Sequence, residues 1–98
     1  MVKVNIKDNV ITIKGHANFD EFGKDIVCAS ISSIVITTVN GILRINNKSV
    51  NVEELKDILI IKYNKKDYNT LSLIENMISL LQELESKYPK NIKIRNEV

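Results

Sequence analysis

Val2, Val4 and Ile6 alternate with Lys3, Asn5 and Lys7, and after an Asp8-Asn9 pair the alternation resumes with Ile11 and Ile13 against Thr12 and Lys14. A period of two puts one set of side chains on a buried face and the other on an open one, and Asp-Asn supplies turn chemistry. Residues 2–14 are therefore expected to form a β-hairpin that ends at Gly15-His16. Ala17 to Lys24 follows no period, carries Phe19 and Phe22 among acidic and polar residues and closes near Gly23, which reads as a mobile loop.

From Asp25 the apolar positions Ile26, Val27, Ala29, Ile31, Ile34, Val35, Ile36 and Val39 are too continuous for a half-exposed strand and extend too far for a buried one. They predict a central, largely buried helix. The β-branched residues oppose it by only tenths of a kcal/mol each, roughly, which burial of a wide apolar face exceeds. Gly41 costs a helix interior only about 1 kcal/mol, so the helix is expected to run on to Ile45. Ser49 to Val52 and Ile58 to Tyr63 read as strands, with Glu53-Glu54 near the turn between them.

Asp67 to Tyr88 has Leu71, Ile74, Met77, Ile78, Leu81 and Leu84 at three- and four-residue spacing, with Pro89 as its stop, and predicts the clearest helix of the chain. Ile92 and Ile94 close with a short strand. The order β-β-α-β-β-α-β defines an α/β protein of the α+β type, with two helices packed on a small, mostly antiparallel sheet. Ninety-eight residues with no repeat or low-complexity segment make one domain, 1–98.

Fourteen Lys and Arg face twelve Asp and Glu, and only Arg44 and Arg95 are arginines. A balance of +2 carried by lysines gives no strong sign of nucleic-acid binding, so no direct nucleic-acid partner is expected. The chain shows no signal-peptide pattern, and its apolar runs fall short of the roughly 18 residues that a membrane span takes. It is expected to be cytoplasmic with no membrane contact.

Cys28 is the single cysteine, which rules out an internal disulfide and a multi-cysteine zinc cage; no metal site is expected. An inert core thiol, a redox-sensitive thiol and a nucleophile all remain open. If Asp25 caps the helix, Cys28 falls in the first turn, where unpaired N–H groups and the macrodipole favour a thiolate. The single histidine, His16, stands where the second strand meets the loop, within possible reach of that thiol.

Gly15-His16-Ala17, followed by Gly23-Lys24-Asp25-Ile26-Val27-Cys28-Ala29, resembles the signature of the Prp cysteine proteases. The chain length and the expected element order agree with that family; the C-terminal half resembles it in pattern rather than in identities. The resemblance implies a cofactor-free endopeptidase that removes the N-terminal extension of a large-subunit ribosomal protein, the one numbered twenty-seven, and that works as a homodimer. By matching position, Cys28 would be the nucleophile and His16 the general base.

In the same family frame, Gly15 would let a substrate backbone approach, or serve as a strand-end turn glycine. Asp25 would orient the pair or cap the helix. Ser32, four residues past Cys28, would share its helix face, and Phe19, Phe22 and Gly23 would belong to a substrate-covering loop. Helix-start N–H groups, that of Cys28 included, would stabilise the oxyanion. A substrate strand would pair with a sheet edge near His16. Two other classes compete: a non-catalytic ribosome-associated binding module and a thiol redox sensor that uses Cys28 alone.

Overall fold

The computed structural model describes residues 1–15 and 22–97, the side chains of residues 22–25 excepted. The element order is β1 (Val2–Lys7), β2 (Val10–Lys14), α1 (Phe22–Ile45), β3 (Val50–Leu55), β4 (Ile58–Tyr63), α2 (Tyr68–Lys87) and β5 (Ile92–Glu97). The strands form one sheet in the order β3-β4-β2-β1-β5. Three pairings are antiparallel, and β5 lies parallel to β1. This is the expected α+β architecture with a mixed sheet.

Alternation explains which face is buried. Val2, Val4, Ile6, Ile11, Ile13 and Ile61 point into the core, where Val27, Ile31, Val35, Val39 and Ile42 of α1 and Ile74, Met77 and Leu81 of α2 meet them. Each helix offers its stripe at three- and four-residue spacing, so both lie on one side of the sheet. Burying so many branched side chains outweighs the weak helix propensity of α1.

By length and composition alone, Ile26–Ile45 is long and apolar enough to cross a membrane, contrary to the expectation drawn from uninterrupted apolar runs. Its row Val27, Ile31, Val35, Val39 and Ile42 is buried in the core, but only 28% of that stretch is buried, so α1 is an amphipathic helix laid on the sheet rather than the largely buried one expected.

α2 matches its expected bounds because its caps are local. Asp67 accepts hydrogen bonds from the Thr70 backbone N–H at 3.0 Å and from the Thr70 hydroxyl at 2.6 Å. Those bonds hold the Asp67 carboxyl below the usual carboxylate range. Thr70 Oγ1 also bonds Ser49 Oγ; since the Thr70 proton goes to Asp67, Ser49 is the donor. This buried chain ties the entry of β3 to the start of α2.

Two boundaries differ from expectation. Glu53 and Glu54 lie inside β3, and the turn falls at Lys56-Asp57, where Asp57 has φ +64°. β3 is an edge strand with an exposed flank, so it carries charge without penalty. The second difference concerns the start of α1 and bears on the site.

Candidate active site

α1 begins at Phe22, so Phe22, Gly23 and Lys24 are helical rather than part of a loop, and Asp25 is the fourth helical residue rather than the N-cap. Cys28 is consequently the seventh residue of α1. In an α-helix only the first four N–H groups lack an intrahelical acceptor. The Cys28 N–H is thus committed to the helix and is not an oxyanion donor. In α2 the fourth helical residue, Leu71, already donates to the cap carbonyl of Asp67. By the same geometry the groups left open within α1 are those of residues 22–24, and the nearer two lie about 6–7.5 Å along the axis from Cys28.

Cys28 is half-buried, and the neighbouring Val27 and Ile31 are buried in the core, so packing on both sides fixes its direction. Ser32 lies one turn further along the same face and is exposed. Ser30 and Thr38 return their hydroxyls to the carbonyls of Ile26 and Ile34, at 2.9 and 2.8 Å. Ser32 makes no such bond among the described residues, and its hydroxyl faces a groove.

That groove has a volume of about 250 Å³ and lies between α1 and the sheet. Ile31, Ser32 and Val35 line it from α1, and Ile13, Val52 and Leu59 from the strands, with Glu54 at its edge. It suits an extended peptide with apolar side chains, anchored by few polar groups. The strand residues of this groove could not be picked out in the sequence, where they read only as strand positions.

Gly15 has φ +86°, a region that side chains rarely adopt. Its N–H donates to the Asp57 carbonyl at 3.1 Å. A Cβ at this position would stand 2.7 Å from the Met1 carbonyl oxygen. The close approach that glycine permits here is therefore to the chain's own N-terminal strand. Gly15→Ala is expected to cost about 1–3 kcal/mol from backbone conformation alone, read as a lowered urea midpoint. An unchanged midpoint would show that the turn relaxes.

His16 and Phe19 lie outside the described residues, as do the side chains of Phe22 and Asp25; Gly23 is described as backbone within α1. An edge-pairing substrate beside His16 is not available at β2, because β1 and β4 flank that strand on both sides. The free edges belong to β3 and β5, and on β5 the Ile94 N–H is taken by Glu85 Oε2 at 2.8 Å. No group of three or more metal-ligating side chains occurs among the described residues.

An α+β fold that carries a half-buried helical thiol one turn from an apolar groove is the kind of arrangement that cysteine peptidases use. The family model described as cysteine protease Prp matches residues 1–93, and the chain belongs to that family. It is 32% identical to the ribosomal processing cysteine protease Prp of Mycoplasma genitalium, over 99% of this chain and 97% of the relative. It is 29% identical to the Prp of Staphylococcus aureus, over 86% of this chain and 82% of the relative.

Among solved structures, the fold is similar to that of the S. aureus ribosomal processing protease Prp in complex with a substrate peptide. The TM-score is 0.85 at 22% identity, over 98% of this chain and 97% of that one. The S. aureus protease with a covalently linked product peptide gives 0.81 at 23% identity, with the same coverage.

Proposed function

We propose that this cysteine peptidase is an endopeptidase that removes the N-terminal extension of large-subunit ribosomal protein twenty-seven, with Cys28 as nucleophile and His16 as general base. The observation that carries the reading is the apolar groove that opens one helical turn from Cys28. The covalent product complex of the S. aureus neighbour supports a nucleophilic route.

His16 takes the thiol proton, and the Cys28 sulfur attacks the scissile carbonyl to give a tetrahedral oxyanion. Collapse forms a thioester while His16 protonates the leaving amine, and water then releases the acid. Open N–H groups at the start of α1 are the candidate oxyanion donors. Ser32, exposed beside the groove, would hydrogen-bond a substrate backbone, and Phe19, as the family resemblance implies, would cover the peptide. The test is incubation with a peptide that spans the extension junction, read by mass spectrometry. One defined cut supports the reading, and no cut of a verified substrate hands it to a binding module.

The protein is further proposed to act in the cytoplasm as a homodimer. Ile26, Ala29, Ser33, Ile36, Asn40 and Leu43 recur at three- and four-residue steps along one exposed face of α1. This is the spacing of a helix-pairing seam. Ile36 is 58% exposed, a large apolar residue left in water by the single chain. Ile36 and Asn40 also line the groove, so the test uses Leu43, on the same face outside it: Leu43→Glu is expected to convert a dimer to a monomer in light scattering coupled to size exclusion. An unchanged dimer mass would place the interface elsewhere.

A further inference from the structure

Both helices cover one side of the sheet, and among the described residues no element covers the other. The positions between the buried ones on each strand project there, and pairing aligns them in rows. Lys93 is the cross-strand neighbour of Lys3, and Lys3 of Lys14. Arg95 faces Asn5, which faces Thr12, and Lys7 lies two positions further along β1. Lys62 stands on β4 opposite Val10. Lys3, Lys7, Lys14, Lys62, Lys93 and Arg95 are all exposed.

Among the described residues of the strands only Glu53 and Glu97 answer them on the same face, and Glu97 is already engaged with Arg95 at 3.4 Å. A chain of nearly balanced charge thus carries a cationic strip over β2, β1 and β5, while Ile58, Ile60 and Leu55 make the far end of the same face apolar. Like charges directly opposite one another destabilise a sheet, so the row Lys93-Lys3-Lys14 works against the fold. It lies in a shallow concavity of about 660 Å³ floored by Asn5 and Thr12. The buried Oδ1 of Asn5 has no hydrogen-bond donor, which leaves an acceptor in the middle of the basic field.

We propose that the helix-free face of the sheet docks the sugar-phosphate backbone of an RNA duplex. The lysines neutralise phosphates. Asn5 Oδ1 accepts from a ribose 2′-hydroxyl once the long basic side chains turn outward, which favours RNA over DNA. The face carries no aromatic residue on which an unpaired base could stack, so it reads backbone rather than sequence. RNA binding stands on residues separate from the peptidase groove. Its use, to hold the enzyme beside a substrate on a ribosomal particle, rests on the reading above.

The test is fluorescence anisotropy with a labelled RNA hairpin of about 16 base pairs, the span of a typical duplex-binding domain, titrated with the whole protein at several salt concentrations. The wild type is expected to bind, with log affinity falling against log salt at a slope of about 3 to 4. The triple variant Lys3→Glu, Lys14→Glu, Lys93→Glu is expected to bind roughly 100-fold more weakly and to lose most of that slope.

The triple variant keeps a row of like charges, now acidic, so it should melt near the wild-type temperature, and it should still cut a free peptide. A control with the same charge change at Lys48, Lys65 and Lys66 should keep its affinity. The proposal is overturned by a wild type that does not bind in low salt, by equal losses in the two triple variants, or by equal affinity for duplex DNA. Loss of peptide cleavage in the wild type would strike the peptidase reading and leave the RNA result standing.

Discussion

Cys28→Ala is expected to lose roughly four orders of magnitude or more in peptide cleavage while unfolding at nearly the wild-type temperature. The side chain is half-buried on an already well-anchored helix, between the buried Val27 and Ile31, so removing one sulfur opens no large cavity. His16→Ala should show a comparable loss of cleavage, and its thiol should alkylate with a pH midpoint shifted towards that of an ordinary cysteine. These two readouts separate the competing roles of the thiol. If His16→Ala leaves both cleavage and the alkylation profile unchanged, the dyad is wrong, and a thiol acting alone becomes the better account. If Cys28→Ala still makes the defined cut, the nucleophile lies elsewhere.

Ile61→Ala should produce the largest loss of stability among single truncations in the sheet. Ile61 is fully buried at the centre of β4, paired with Ile11 of β2 on one side and Val52 of β3 on the other. Truncation removes three carbons from a site that rigid strands prevent from collapsing, which costs about 2–5 kcal/mol. For a domain of this size each kcal/mol lowers Tm by about 4–8 °C, so a drop of 10 °C or more is expected. Urea titration checks it through the midpoint at constant slope. A cost well under 1 kcal/mol would mean that the strand shifts to refill the site.

The elements were legible where their causes are local. Asp67 caps α2 through Thr70, and Tyr88 ends it before Pro89, so both ends are written within a few residues of the boundary. The start of α1 was not legible. Gly23 beside two charged residues looks like a turn, yet Phe22 to Lys24 are helical, in a helix whose buried face lies further along at Val27, Ile31 and Val35. Moving that boundary by four residues, from a helix capped by Asp25 to one that begins at Phe22, takes Cys28 out of the first turn and reassigns the candidate oxyanion donors. Glu53 and Glu54 misled in the opposite way, since charge suggests a turn but an edge strand accepts it on its solvent flank.

The sequence by itself determined the element order and the buried faces of β1 and β2, and it proposed the residues that would do chemistry. Those are encoded by periodicity and motif among near neighbours. Only the tertiary structure decided that β5 joins β1 in parallel, that both helices take the same side, and that Ile13 and Leu59 meet Ile31 in a groove beside Cys28. It also decided that Lys93 stands beside Lys3, though they are far apart in the chain. The reason is physical. Strand alternation states that a side chain is exposed but not what lies across from it, and pairing between distant strands is settled by burying all the apolar faces together.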